Sequence, residues 1–371
     1  MVHSIDWKDT TPRNNPVCIV GAGFQRAVLD KRKPSAETII EETVQNNGDQ
    51  FPILSALCNS KIPIRLDLNY IWENIRSLSQ ALYDKYTIAQ ILNDYSSLNN
   101  KITTVIKEFG SLPLDVVFGL ELKKMIAYHY DSQKIGPFKE RVLSNMKNII
   151  SEDRKFTWIS LNYDIVLEKM LVCGIYGKEE FNFNFRKVKY SFNSLLTNKS
   201  FKNDDSKHIL IKPHGSLNVV FETDNQNTYN KIHKIHYKDE NNYFATFDWK
   251  DMGYDIQQNK INEKRPWMIG YLSDDLKDEL TSKPYISDLA HDLCKWNMAY
   301  SSFALVNATS LFILGYSMPD EDEWIWTRVR NIENKKIEIY IASDKDSEKI
   351  SKSFENIGFR NVYIVNNGKI D

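Results

Sequence analysis

The chain has few cysteines, no long apolar run and almost no net charge, and each scarcity excludes a class of protein. Its four cysteines are scattered through 371 residues without a Cys-x-x-Cys pair, which argues against a disulfide framework and a zinc ribbon. No segment approaches the roughly 20 apolar residues that span a bilayer. The first residues, Met1 to Lys8, lack the apolar region of a secretory signal. We therefore expect a soluble cytoplasmic protein.

The charge balance does not favour nucleic acid or an anionic membrane as a partner. A net charge of −1 gives no overall field that would attract nucleic acid or an anionic membrane, so neither is an expected partner. The composition is otherwise that of a globular protein, 42% hydrophobic and 26% charged, which is enough for a sizeable core. The length fits one large domain with insertions or two domains.

Strand-like and helix-like segments alternate at both ends of the chain. Val17 to Val20 begins the pattern, and a strand at Ser310 to Leu314 starts the final series of alternating elements. Such alternation is typical of a parallel sheet with crossover helices. The sequence thus predicts an α/β fold, a Rossmann-like parallel sheet flanked by helices, in a single domain over residues 1–371.

Three intervals interrupt this alternation. About residues 60–150 carry helical patterns only, which predicts an all-helical insertion. Residues 176–207 and 222–262 are rich in Asn, Lys, Asp and Tyr and have no clear period, which predicts loop-rich insertions.

Polar segments follow two of the predicted strands. Asn162 and Asp164 come directly after one strand, and His214 comes after another. Ligands bind at the carboxyl edge of open α/β sheets, and histidine titrates near neutral pH, so this arrangement indicates chemistry. For isolated residues the simpler interpretations are a helix cap for Asn162 and a position in the first turn of a helix for Asp164. For His214 the simpler interpretation is a loop histidine whose hydrogen bonds are satisfied.

A turn rich in glycine follows the first predicted strand. Gly21, Ala22 and Gly23 lie where backbone N–H groups at a helix start can accept a diphosphate. Arg26 occupies the place of the third glycine of the dinucleotide fingerprint, and no acidic residue at a strand end lies about twenty positions further on. The dehydrogenase signature therefore fails, and a phosphate-binding turn and a structural tight turn remain equally open.

Three other patterns favour ordinary surface or structural roles. His233 and His236 have the spacing of half a metal site, but no matching pair stands nearby and no metal is expected. The alternating Lys and Tyr over 229–243 could stack single-stranded nucleic acid, although its acidic residues favour an exposed loop. The acidic run over 320–323 suits the start of a helix, where negative charge complements the dipole.

Four segments, taken in order, resemble the motifs of the sirtuin-like NAD-binding family. They are Gly21-Ala22-Gly23, Leu161-Asn162-Tyr163-Asp164, Lys212-Pro213-His214-Gly215-Ser216 and the stretch from Leu314 to Asp322. The match spans about residues 15–35 and 155–370 and is closest to a bacterial branch of NAD-hydrolysing effectors in anti-phage defence, in which the helical insertion is also typical. Gln25 replaces a serine that is usual in the family. The four-cysteine zinc module and the acidic-Phe-Arg loop of protein deacylases are missing, so no acyl-lysine platform is evident.

The resemblance implies a role for each motif residue. His214 would be the base, Asn162 would orient water or the ribose, and Asp164 would line the nicotinamide ribose pocket. The residues implied to contact NAD are Gly21, Ala22, Gly23, Phe24, Gly215, Ser216, Gly315, Ser317 and Asp344, with Ser343 as an alternative to Asp344.

The resemblance also implies a reaction and a setting. NAD would be the substrate, hydrolysed to nicotinamide and ADP-ribose, and control would come from homo-oligomerisation or from a partner such as a P-loop translocase ATPase or another defence protein. The alternatives are a protein deacylase or ADP-ribosyltransferase, and a non-enzymatic sensor of NAD or ADP-ribose.

Overall fold

One parallel sheet of eight strands organises the protein. In sheet order the strands are β1 (His3–Ile5), β12 (Asn361–Val365), β11 (Glu338–Ala342), β10 (Ser310–Leu314), β2 (Pro16–Val20), β3 (Phe156–Ser160), β5 (His208–Ile211) and β4 (Val188–Tyr190). Every neighbouring pair is parallel. All residues of β2 and β10 are buried, as the apolar runs of a sheet covered on both faces require. The predicted α/β fold with a parallel sheet is confirmed.

The structure is a computed structural model that describes both ends of the chain and parts of its middle. The described residues are 3–12, 14–29, 34, 38–59, 66–85, 114–130, 137–150, 154–175, 188–191, 207–222, 254–255, 260–261, 264–268, 288–319 and 322–371. Two antiparallel pairs accompany the main sheet within these ranges. They are β6 (Gly215–Glu222) with β9 (Lys264–Met268), and β7 (Tyr254–Asp255) with β8 (Lys260–Ile261).

Helices connect the strands and cover the sheet. In chain order they are α1 (Ala22–Val28), α2 (Ile39–Asn47), α3 (Pro52–Asn59), α4 (Leu68–Glu73), α5 (Ile75–Lys85), α6 (Leu114–Tyr130), α7 (Glu140–Ile149), α8 (Val166–Lys169), α9 (Asp288–Val306), α10 (Glu323–Arg330) and α11 (Ser347–Asn356). A π-helical turn, Met170–Ile175, continues α8.

Two apolar clusters divide the buried residues. The larger one contains the sheet and the apolar faces of α1 and α7 to α11, and the smaller one is built from α2 to α6 together with Leu217 of β6. Helices α4 to α6 lie in the interval predicted as an all-helical insertion. Helix α7 lies there too, yet Val142, Met146 and Ile149 pack on the larger cluster. Conversely, α2 and α3 precede the interval but share the smaller core.

The predicted loop-rich intervals lie largely outside the described residues. Within 176–207, β4 is a short strand at the sheet edge, where a loop was expected. Within 222–262, the short pair of β7 and β8 is described. Pairing with β5 supplies the order that the polar local sequence does not predict.

The strand order reverses beside β2. The chain proceeds from β2 outward to β3 and β5, then returns to the other side of β2 and proceeds outward through β10, β11 and β12. A reversal of this kind opens a crevice at the carboxyl ends of the two strands that flank it. Here those strands are β2 and β10, and the loops that follow them begin with Gly21 and Gly315.

Candidate active site

The loops after β2 and β10 interlock through their glycines. Gly21 N donates to Leu314 O at 3.1 Å, and Gly23 N donates to Gly315 O at 2.7 Å. A Cβ added to Gly23 would lie 2.8 Å from Gly315 O, and one added to Gly315 (φ +58) would overlap the backbone of Phe24. Packing between the loops is therefore sufficient to require these glycines. Their contact with a diphosphate stays a prediction.

Exposed residues follow three adjacent strands at the carboxyl edge. Ala22 follows β2, Ser317 follows β10 and Asp344 follows β11, and all three are exposed. Asp344 has φ +47, which turns the backbone sharply at the end of its strand. The neighbouring Ser343 is buried and donates its hydroxyl to Tyr316 O at 2.8 Å. A ligand along this edge would meet Ala22, Ser317 and Asp344, whereas the side chain of Phe24 is in the core.

Asn162 joins the loop after β3 to the loop after β2. Its Nδ2 donates to Gly21 O at 2.9 Å, and the residue is 9% exposed. The N-cap position of α8 is Ile165, which makes no side-chain cap hydrogen bond, so Asn162 is not a helix cap. The hydrogen bond instead fixes the amide beside the crevice.

Asp164 serves the start of α8. Its Oδ1 accepts from Val166 N at 2.8 Å, and its backbone oxygen accepts from Lys212 Nζ at 2.5 Å. Burial raises the pKa of this carboxyl from 3.8 to about 6, and the charge of Lys212 opposes the rise. The helix-start interpretation accounts for these contacts, and a role beside a ribose stays a prediction.

His214 lies in a tight turn between β5 and β6. Gly215 N donates to Lys212 O at 3.1 Å, and Gly215 takes φ +97, a value that glycine adopts without strain. The imidazole is almost wholly buried, and its ring centre lies 6.3 Å from that of Tyr163. Burial lowers the pKa of His214 and so favours the neutral imidazole, the form that can accept a proton.

Asp322 faces His214, and sequence reasoning missed it. Its Oδ1 lies 3.6 Å from His214 Nε2, and its Oδ2 accepts from Tyr316 O–H at 2.6 Å. The carboxylate is 3% exposed and opposes the lowering of the His214 pKa. The acidic run at 320–323 had a sufficient local explanation as a helix start. The available signal was that Tyr316 and Asp322 belong to the motif that follows β10.

A chain of buried polar contacts, here called the lysine network, lies beneath the site. Lys212 Nζ is 3.2 Å from Glu168 Oε1, which also accepts from Tyr190 O–H at 3.0 Å. Asn218 Nδ2 donates to the same Tyr190 oxygen at 2.8 Å, and Ser216 Oγ donates to Asn218 Oδ1 at 2.6 Å. Ser216, predicted to contact NAD, therefore directs its hydroxyl into the network and is fully buried.

The smaller apolar cluster also contacts residues that flank the site. Gln25 Nε2 donates to Tyr130 O–H at 2.9 Å, and that hydroxyl donates to Pro34 O at 3.2 Å. Tyr163 and Leu217, which flank the site, pack into the same cluster. Gln25, which replaces the usual serine of the family, thus ties α1 to the end of α6.

The described ranges also bear on metal binding and on membrane insertion. There, no group of three or more His, Cys, Asp or Glu side chains converges on a possible metal position, and no helix is long and apolar enough to cross a membrane. His233, His236 and the Lys- and Tyr-rich stretch over 229–243 lie outside the described residues.

The chain matches no protein-family model, and no curated protein is significantly similar to it. The resemblance to the sirtuin-like family therefore remains a prediction that depends on four motifs. The coordinates themselves define an α/β protein with a doubly wound parallel sheet, whose carboxyl edge holds a buried histidine and aspartate pair.

Proposed function

We propose that the protein is an NAD hydrolase that cleaves the bond between nicotinamide and ribose with water. The observation that carries the proposal is the buried His214 imidazole, 3.6 Å from the Asp322 carboxylate at the carboxyl edge of the sheet and two strands from β2 and its crevice. Asn162, held by Gly21 O at the crevice itself, adds a second oriented group of the type that the motif resemblance implies.

The chemistry needs a base more than an acid. The ring nitrogen of bound nicotinamide is cationic, so the electron pair of the breaking C–N bond neutralises it and no proton is needed for departure. Water then forms the new C–O bond at the ribose carbon, and His214 accepts the proton that this oxygen loses. General base catalysis of this kind contributes about 10²- to 10⁴-fold in rate. The products are nicotinamide and ADP-ribose.

Asn162 contributes by position. Its amide does not titrate, and the hydrogen bond to Gly21 O fixes the orientation of the side chain before substrate arrives. A group held in this way lowers the barrier by presenting the ribose or the water in a reactive geometry. We therefore expect that removing the Asn162 amide lowers kcat strongly and changes the free energy of unfolding little.

The biological setting rests on the motif resemblance alone. The anti-phage branch supports a cytoplasmic effector that depletes NAD in an abortive response to infection. Such an activity must be silent until it is needed, which favours control by homo-oligomerisation or by a partner such as a P-loop translocase ATPase. A chain that is monomeric and fully active by itself would contradict this part of the proposal.

The reaction can be tested by nicotinamide release from purified protein, with and without the products of neighbouring genes. We expect His214→Ala and Asn162→Ala each to abolish release while the far-ultraviolet circular dichroism and thermal midpoint stay near wild type. His3→Ala and Asn307→Ala, which alter exposed residues of the same types, serve as matched controls. Full activity in either site variant, or no turnover under any condition, would overturn the proposal.

The same assay separates the alternatives. Release that requires an acyl-lysine peptide would indicate a deacylase, and transfer of label from NAD to an acceptor protein would indicate an ADP-ribosyltransferase. Binding of NAD or ADP-ribose without turnover would indicate a sensor.

A further inference from the structure

We propose that Asp322 is the positioning residue of His214, orienting the imidazole and stabilising the imidazolium that forms when His214 takes a proton from water. This inference deepens the proposed hydrolase and rests on it. It assigns a role to an acidic residue that the sequence explains only as the start of a helix.

The geometry of the pair suits a charge that appears during the reaction. Asp322 Oδ1 lies 3.6 Å from His214 Nε2, and the two side chains are 3% and 7% exposed. The separation is longer than a hydrogen bond, and catalytic hydrogen bonds commonly tighten only when substrate is bound. Because little solvent screens the pair, its attraction in the imidazolium state is much stronger than at a surface.

Asp322 is itself held in place from the neighbouring strand ends. Tyr316 O–H donates to Asp322 Oδ2 at 2.6 Å, and Ser343 Oγ donates to Tyr316 O at 2.8 Å. The loops after β11 and β10 thus support a carboxylate that faces the loop after β5. A side chain anchored through one oxygen presents the other in a fixed direction, as an orienting residue requires.

A capping role does not account for Asp322. It occupies the N-cap position of α10 but makes no side-chain cap hydrogen bond there. Its carboxylate instead faces the tyrosine hydroxyl and the imidazole. The neighbouring Glu323 provides the acidic residue in the first turn of the helix, with its side chain 75% exposed.

Among the described charged groups near His214, Asp322 is the one whose carboxylate faces the imidazole. Lys212, two residues earlier, directs its ammonium to Glu168 and to the backbone of Asp164. From the loop after β3, Tyr163 presents an aromatic ring. Within the described part of the chain, Asp322 is the charged side chain that raises the pKa of His214 against the effect of burial.

The pairing also predicts the tautomer of the neutral ring. A carboxylate beside Nε2 favours the proton on that nitrogen, which makes Nδ1 the basic one. Nitrogen chemical shifts distinguish the two tautomers directly. This readout does not depend on turnover.

The test is Asp322→Asn, with Glu323→Gln as a control that removes an exposed charge from the next position. We expect kcat for nicotinamide release to fall at least about tenfold in Asp322→Asn. In long-range ¹H–¹⁵N spectra of histidine-labelled protein, with His214→Gln for assignment, the pKa of His214 should fall because the carboxylate that raised it is gone. The acid limb of the rate profile should move to lower pH. Glu323→Gln should change neither.

The outcomes keep the inference separate from the proposed reaction. A His214 pKa that is the same in Asp322→Asn and wild type would overturn the inference, whatever the activity. A lowered pKa in a protein that never releases nicotinamide would sustain the pairing but refute the hydrolase. If Asp322→Asn does not fold, Asp322→Glu keeps the charge and should hold the His214 pKa near wild type while lowering kcat. A large fall of the pKa in Asp322→Glu would count against the inference.

Discussion

Two buried ionisable pairs lie close together in this protein, and they are built differently. Lys212 and Glu168 are fully buried with 3.2 Å between charged atoms, and further hydrogen bonds reach both side chains. His214 and Asp322 are also buried but stand 3.6 Å apart, and burial favours the uncharged form of the imidazole. The first arrangement suits a permanent charge and the second suits a transient one. Burial alone therefore does not separate structural residues from those proposed to act in the reaction.

The difference follows from the cost of burying charge. A buried ion pair offsets its desolvation only where good geometry and extra hydrogen bonds surround it. The lysine network supplies those bonds through Tyr190 and the backbone of Asp164. Burial favours the neutral form of His214, which avoids most of that cost, and the imidazole would become charged only during the proposed reaction.

The strongest test of this comparison is Lys212→Met. Removing the ammonium leaves the Glu168 carboxylate buried without its counter-charge, so we expect a loss of about 3–5 kcal/mol in the free energy of unfolding. Chemical denaturation measures this loss. The double variant Lys212→Met/Glu168→Leu should recover part of it, and Lys336→Met, at an exposed site, is the control. If Lys212→Met were as stable as wild type, the Lys212–Glu168 pair would not have the structural role assigned to it.

A second test uses the pH dependence of stability. The pKa of Asp164 is raised from 3.8 to about 6 in the folded protein, so the folded state keeps a proton that the unfolded chain releases. Stability should therefore fall as pH rises from about 4 to about 6, by roughly 3 kcal/mol for this group. In Asp164→Asn this pH-dependent change in stability should vanish. The control Asp9→Asn, at an exposed site, should retain it. Identical pH profiles for wild type and Asp164→Asn would contradict this expectation.

The smallest expected effects come from two tyrosines that each donate to a buried carboxylate. Tyr190→Phe removes a bond to Glu168 and an acceptor for Asn218, so we expect a loss of about 1–3 kcal/mol in stability without a change in kcat. Tyr316→Phe removes one bond to Asp322, so we expect about 1 kcal/mol and a lower kcat for nicotinamide release. Denaturation and the release assay on both variants check this. If Tyr190→Phe lowered kcat and Tyr316→Phe did not, the two buried pairs would have the opposite roles to those expected here.

The sequence predicts the central strands and fails at the edges. Val17 to Val20 and Ser310 to Leu314 are apolar runs whose burial is evident from composition, and both are strands. β1 (His3–Ile5) and β4 (Val188–Tyr190) have three residues each and lie in polar surroundings. They are strands because β1 pairs with β12 and β4 pairs with β5. The local sequence does not indicate either partner.

The site divides in the same way. His214 and Asn162 are predictable because each follows a recognisable strand. Asp322 has a complete local explanation, and its contact with His214 exists only once β10 and β5 share a sheet edge. Gln25 is similar, since its partner Tyr130 belongs to a helix far along the chain. Local patterns thus predict where side chains emerge, while folding decides which ones meet.

The position of β2 at the sheet centre has a consequence for synthesis. β2 leaves the ribosome long before β10, one of its two partners in the sheet. Until then an apolar strand has an unpaired edge, and Gly21 and Gly23 lack the loop after β10 against which they pack. Such long-range parallel pairing is slow and exposes nascent chains to aggregation. The crevice is therefore completed late, and a chain interrupted before β10 carries His214 without Asp322, the residue that faces it.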